Sequence, residues 1–381
     1  MRRYQLVGDR TARVLRWLCV AGVAASLLSC SGDDETASEP EGVTVPAAGE
    51  HFASLAEWHL FSDIGQQTPA PGVEPFQPIA PLYSDYTNKR RFIYVPPGTK
   101  IQYSDTGVWT IPVGGALIKT FSYVLDERQG VPERISPDKE RLMETRILFR
   151  ESETKWVAET YVYDQSGQQA ERKVAGATID VSWVNRAGET LTNAYSVPNV
   201  NACQTCHGEN EAMNAQGLRT RQLNWDHDYG DVTENQVDHF QKLGWIDAPA
   251  EREQLVDPFG NGSVSDRMRS YFDSNCASCH REDGFASSSG MWLDWASTDP
   301  ETQEATNWGV CKQPTSAGGA TCELQFDVVP GKPDESILLC RTASAEAKVR
   351  MPPLATKIPH AEALGLIREW ISQLPAAACS Q

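Results

Sequence analysis

Two five-residue stretches constrain this chain more than anything else in it: Cys203-Gln-Thr-Cys206-His207 and Cys276-Ala-Ser-Cys279-His280. Each is C-x-x-C-H, the spacing that attaches haem c covalently. Thiols three positions apart sit about one helical turn from each other. Each can therefore add to one of the two vinyl groups of the same porphyrin. The next residue falls beneath the iron, and neutral imidazole is a good iron ligand. Two copies imply two haem c groups. Cys203, Cys206, Cys276 and Cys279 would be the covalent attachments, and His207 and His280 the proximal ligands. Two competing readings explain less. Four cysteines could form a structural zinc site, but the pairs lie far apart and zinc gives no reason for a histidine after both. A thioredoxin-like motif needs only one pair beside a βαβ pattern, and no such pattern is evident.

The N-terminus reads as an export signal. Arg2, Arg3, Arg10, Arg13 and Arg16 precede an apolar stretch, Trp17 to Leu28, that is too short to span a bilayer stably. It ends in Leu27-Leu28-Ser29-Cys30, which resembles the lipobox of bacterial lipoproteins. That resemblance implies removal of residues 1–29 and acylation of Cys30, with Ser31 at the following position favouring the periplasmic side of the outer membrane. Surface exposure is the alternative. A multiply acylated cysteine is a stable membrane anchor. Residues 30–50 are polar, acidic and rich in small side chains, the composition of a flexible tether.

The cysteines can then be apportioned. Of ten, Cys19 leaves with the signal, Cys30 takes lipid and four take haem. Cys311, Cys322, Cys340 and Cys379 remain, and an oxidising compartment predicts two disulfides. Three pairings are possible. Closing the Gly-rich loop favours Cys311–Cys322, which leaves Cys340–Cys379 to tie down the C-terminus. The formal charge is −17 and becomes −21 without residues 1–29, which hold five Arg and one Asp. Such acidity argues against a nucleic-acid partner. It suits steering toward a basic redox partner protein.

Along the chain, residues 51–200 hold short runs rich in aromatic and β-branched residues: Arg91–Val95, Val108–Pro112, Leu117–Leu125, Leu142–Phe149, Trp156–Tyr163 and Thr178–Val184. In the fourth, Met143, Ile147 and Phe149 interleave with Glu144, Arg146 and Leu148, a half-buried strand pattern. After about Val200 helical periods appear, over Asn235–Trp245, over Asp266–Cys279 with Ser265 as its cap, and along Leu364, Ile367, Ile371 and Leu374 with Trp370 beside them. The expected fold is multidomain. A sandwich-like all-β domain (51–200) precedes mainly α, cytochrome c-like haem domains: a first haem segment (201–263) and a second haem unit (264–381).

Each iron needs a second axial ligand. Met351, in Arg350-Met351-Pro352-Pro353 just before the terminal helix, resembles the axial methionine loop of class I cytochromes c. Met/His ligation raises a haem's reduction potential. For the first haem the candidates are Met213, His227 and His239. Met213 follows His207 too closely to wrap a porphyrin and His227 sits in a polar stretch, so His239 is the expected distal ligand. An open position is the alternative. Lys89-Arg90-Arg91 could pair with haem propionates or form a solvated strand end.

Beyond the motifs, Pro81-Leu-Tyr-Ser-Asp-Tyr-Thr-Asn-Lys-Arg-Arg-Phe-Ile-Tyr-Val-Pro-Pro97 resembles a family of bacterial dihaem c-type cytochromes, most of them hypothetical lipoproteins. So do Gly309-Val-Cys-Lys312, Val329-Pro-Gly331 with Pro333, Ser336-Ile337, Met351-Pro-Pro and His360 through Trp370. The likeness implies two covalent haems, on residues 203, 206, 207, 276, 279 and 280, and an envelope location. The stretch Met213–Asn224 departs from it. The expected role is that of an electron carrier rather than a catalyst. A peroxidase-like enzyme with an open first haem, or a β-domain binding module with accessory haems, are the alternatives.

Overall fold

Alternating apolar side chains build the centre of the fold. The computed structural model describes residues 42–131, 137–209, 212–354, 356–375 and 379, so the export signal and Cys30 lie outside the described residues. Strands β1 (Phe61–Asp63) and β2 (Thr68–Pro69) form a small ribbon. Strands β3 (Val73–Pro75), β4 (Asn88–Tyr94), β5 (Ala116–Val124), β6 (Glu140–Arg150), β7 (Trp156–Tyr163) and β8 (Ala170–Arg172) form a six-stranded antiparallel sheet in chain order. Strands β9 (Ala177–Val184) and β10 (Thr190–Val197) pair as a separate hairpin.

The sheet buries both faces. On one, Phe92, Ile118, Ile147, Phe149 and Tyr161 pack against Leu55, Trp58, Leu60 and Phe61. The Trp58 indole N–H donates to the Tyr161 hydroxyl at 2.7 Å, so its polar atom is satisfied on burial. The other face is covered in two places. Phe121 and Met143 meet Val181, Trp183, Tyr195 and Val197 of the hairpin. Ile93 joins Trp109, Leu218, Leu223, Val237 and Phe240. Strand β6 is consequently buried along nearly its whole length, not half-buried as its alternation predicts. The reason is tertiary: the β9–β10 hairpin, and beyond it the chain after residue 200, fold back over the face that the pattern leaves for water.

After the hairpin come α1 (Cys203–His207), β11 (Gly208–Glu209), β12 (Ala212–Met213), α2 (Thr220–Leu223), β13 (Asp226–Asp228), β14 (Thr233–Asn235), α3 (Gln236–Lys242), α4 (Val264–Asn275), α5 (Ile337–Ala343) and α6 (Ala361–Gln373). Asn235 caps α3 and Ser263, not Ser265, caps α4, its hydroxyl accepting from Asp266 N at 3.0 Å. Helix α6 buries Ala363, Leu366, Ile367, Trp370 and Ile371 against Met268 and Phe272 of α4.

This architecture corrects the expected fold class. Strand outweighs helix, 25% against 21%, so the region after residue 200 is not a mainly α, cytochrome c-like domain. Only α4 and α6 exceed seven residues there. The stretch between them is dense in glycine, proline and serine (Ser287-Ser288-Ser289-Gly290, Gly318-Gly319, Pro330-Gly331), which favours turns over helix. Nor does a sandwich form among the described residues, since the six-stranded sheet is joined only by two-stranded ribbons. Val108–Pro112 makes isolated bridges, not a strand, because Trp109 turns inward to donate to Thr220 Oγ1 at 3.0 Å. The described residues belong to one compact unit.

The disulfides are also re-paired. Cys311 bonds Cys379 and Cys322 bonds Cys340, with Cα–Cα distances of 5.0 and 6.6 Å. Packing decides this. Cys311 lies beside Val328, whose carbonyl accepts its N–H, and the Gly331 N–H donates to Ile371 O, which brings the end of α6 to that segment. Cys340 rides on α5. Among the described residues no helix is long and apolar enough to cross a membrane.

Candidate functional site

Helix α1 consists of the first motif and nothing else. Asn199 starts this turn, its side chain accepting from Ala202 N at 2.9 Å. Cys203 and Cys206 therefore lie one turn apart, with His207 next to them. His207 Nδ1 donates to the carbonyl of Asn214 at 2.9 Å, an arrangement that fixes the tautomer and leaves Nε2 for a metal. Burial, then the charge of Lys119, holds the His207 pKa down at about 4, so the ring is neutral.

Cys203, Cys206 and His207 border a cavity of about 830 Å³ between α1, the sheet and the start of the second motif. Its walls mix apolar groups (Ala80, Leu82, Leu117, Leu148, Leu218, Leu223) with an unusual density of cations. Seven basic side chains line it, against four acids, in a chain whose formal charge is −17. The acids are engaged elsewhere: Asp85 with backbone N–H groups, Glu159 with Arg172, Asp273 with Arg221 and Asp294 with Ser297.

Three of the cations come from one row of the sheet. Arg91 of β4 is directly opposite Lys119 of β5, and Lys119 is directly opposite Arg146 of β6. Like charges in facing positions repel. Arg146 is relieved by Glu144, which takes Nε at 2.8 Å and Nη2 at 2.5 Å. Arg91 has only neutral partners, Gln77 Oε1 at 3.1 Å and Lys89 O at 3.4 Å. Lys119 has the Phe121 ring, 5.1 Å from its ammonium nitrogen. Burial, then Arg91 and Arg146, lowers the Lys119 pKa to about 7. Two more lining arginines carry buried donors without a hydrogen-bond partner, Arg281 Nη2 and Arg350 Nε. A cavity of this size, bordered by C-x-x-C-H and supplied with spare cationic donors, fits a porphyrin bearing carboxylates.

The second motif follows α4 without a break. The Cys276 N–H closes the helix on Phe272 O, and the residues up to His280 turn beyond it. Burial pushes the Cys276 thiol up to about 12. Burial lowers the His280 pKa, with a Met291 backbone hydrogen bond opposing and the charge of Arg341 adding to the shift, and its Nδ1 lies 3.3 Å from the Ser289 hydroxyl. Arg341 also organises the methionine loop: its carbonyl accepts from Met351 N at 3.0 Å and its Nε donates to Val349 O at 2.9 Å. Nitrogen from His280 and sulfur from Met351 are donors that suit haem iron.

The two motifs touch. The Cys279 thiol donates to Thr205 O at 3.8 Å, and its interaction with Cys206 lowers the Cys206 pKa and raises that of Cys279. Ala277, Ser278 and Arg281 line the first motif's cavity, as do Arg350 and Pro353 from the methionine loop. The segment Pro81–Thr87 ties these parts together. Tyr83 N donates to Asn275 Oδ1 at 2.7 Å, just before Cys276. Its hydroxyl donates to Ile358 O at 3.0 Å. Asp85 Oδ1 accepts from Lys357 N at 2.6 Å and Ile358 N at 2.9 Å.

None of the three expected distal ligands of the first haem borders the cavity. His239 is wrongly disposed for iron: Glu234 holds Nδ1 at 2.8 Å, Glu74 holds Nε2 at 3.2 Å, and Tyr229 stacks on the ring at 3.7 Å. Met213 pairs with Gly208, the residue after His207. His227 sits in the β13–β14 ribbon near Tyr229. His360 stacks on Tyr83 at 4.0 Å. Among the described residues no three Cys, His, Asp or Glu side chains converge as a metal site, so the two C-x-x-C pairs do not assemble a four-ligand zinc centre there. The cation row had a trace in the sequence, since Arg91, Lys119 and Arg146 each lie in an expected strand, but single strands do not disclose register. No protein-family model, no curated protein and no solved structure matches the chain.

Proposed function

We propose that this chain is a dihaem c-type cytochrome of the cell envelope, lipid-anchored at Cys30, that carries electrons between redox partners. The observation that carries the reading is the meeting of the two C-x-x-C-H motifs at Cys206, Cys279 and Thr205. Cofactors attached at touching cysteines are close neighbours, and an electron can pass between them without crossing open solvent. Haem, when bound, supplies one-electron chemistry. The protein's part is to hold His207 on Asn214, to fix the Met351 loop on Arg341, and to exclude water with the sheet. The acidic surface suits a basic partner.

The test is direct. Full-length protein matured in a host competent for haem c attachment is run on a denaturing gel and stained for haem peroxidase activity. Its haem is then counted as the pyridine haemochrome. Two haems per chain are expected; an unstained band overturns the reading. A haem-dependent oxidoreductase is the second reading, favoured by the absence of any second histidine or methionine among the residues bordering the cavity. Ready binding of carbon monoxide by one reduced haem would support it.

A further inference from the structure

With His239, Met213 and His227 away from the cavity, its lining offers few groups able to face His207 across a porphyrin. Besides the motif's own cysteines and histidine, the only side chains there with a neutral form that ligates iron well are the amines of Lys119 and Lys357. They differ in availability. Lys357 Nζ donates to Ala194 O at 2.5 Å. Among the described residues the Lys119 ammonium has no hydrogen-bond or ion-pair partner; it sits over Phe121 in the middle of the Arg91–Lys119–Arg146 row, at the cavity wall. Flanking a central lysine with two arginines raises the energy of the folded protein, and such a violation of sheet pairing is expected where a site demands it. We propose that Lys119 is the sixth ligand of the first haem iron, its neutral amine facing His207 from the sheet. The proton of the ammonium leaves to solvent as the Fe–N bond forms, and no redox change accompanies it. This rests on the dihaem reading, and it makes the protein a carrier with both irons six-coordinate.

The experiment uses the full-length holoprotein with its haem counted first. In the wild type, electron paramagnetic resonance and near-infrared magnetic circular dichroism should show two low-spin ferric haems, one with an amine-type charge-transfer band. Lys119→Arg keeps the charge but cannot ligate, and Lys119→Met offers sulfur in place of the amine. In Lys119→Arg half of the haem should turn high-spin and bind carbon monoxide, from none in the wild type. In Lys119→Met the amine-type band should vanish. Two haems with a high-spin centre already in the wild type, or variants that retain the amine-type band, would overturn the proposal while leaving the dihaem reading intact. A chain without haem would overturn that reading itself. A wild-type spectrum without an amine-type band overturns the proposal even if neither variant folds.

Discussion

The same five-residue signature sits in two opposite settings. The first motif is a lone helical turn beside a cavity of about 830 Å³ and a row of repelling cations. The second terminates a 12-residue helix packed into an apolar core with α6. The spacing is the same in both, whereas the surroundings differ in burial, charge and neighbouring segments. The methionine loop is tied to Arg341 and sends Arg350 and Pro353 to the cavity wall, and the cation row stands in the sheet beside the first motif. Axial ligand, charge and burial set reduction potential, so two unlike potentials are expected from one repeated signature.

Four experiments sharpen or break this contrast. The largest effect comes from removing one motif at a time. Cys203→Ala with Cys206→Ala, or Cys276→Ala with Cys279→Ala, should each halve the haem content. Equal losses with unequal remaining potentials would support the contrast; identical remaining potentials would sink it. Next, Met351→Ala should abolish the sulfur-to-iron charge-transfer absorption, lower one potential and leave the other within error. A shift in both haems would show that the loop serves both irons.

The third concerns the joint between the settings. Arg221 and Asp273 form a buried ion pair at 2.9 Å, and Arg221 also donates to Thr106 O at 2.7 Å. It ties α2 to α4 just ahead of the second motif. Asp273→Asn leaves the guanidinium without its counter-charge, and breaking such a pair costs about 3–5 kcal/mol. Denaturant unfolding measures it; a loss under 1 kcal/mol would mean that the joint is held otherwise.

The smallest effect is a pH dependence. His360 is packed among Tyr83, Tyr86, Phe259 and Tyr271, with Glu362 Oε2 at 3.6 Å from Nε2. Burial lowers its pKa to about 4, with Glu362 opposing and Lys89 adding to the shift. The unfolded chain takes up this proton near pH 6.5 and the folded chain only near 4, so this contribution to stability is present above pH 6.5 and is lost as pH falls through that window. The loss is roughly 2–3 kcal/mol. His360→Phe should flatten this part of the stability profile, and an unchanged slope would refute the assignment.

Legibility followed locality. The haem motifs are contiguous, so their residues could be named from spacing alone. Trp156–Tyr163 and the cores of β4, β5, β6 and β9 showed in their runs of β-branched and aromatic residues, because a strand's composition is a local property. The fold class was misread because a Cys-x-x-Cys-His turn implies chemistry, not the helix content around it. His239 was misread because its two carboxylate partners come from Glu74, far upstream, and Glu234, five residues before it. Disulfide pairing failed for the same reason. Four cysteines permit three pairings, and loop length does not choose among them.

By itself the amino-acid sequence determined that two Cys-x-x-Cys-His runs occur, the spacing on which the haem proposal rests, since the separation of neighbours along a chain is a local property. Tertiary structure alone decided that the two signatures touch, that Arg91, Lys119 and Arg146 stand in one row, and that the chain beyond residue 200 covers the sheet. Those facts depend on strand register and on packing between distant segments. Both are settled by the total burial of apolar surface, a quantity that no short stretch of sequence contains.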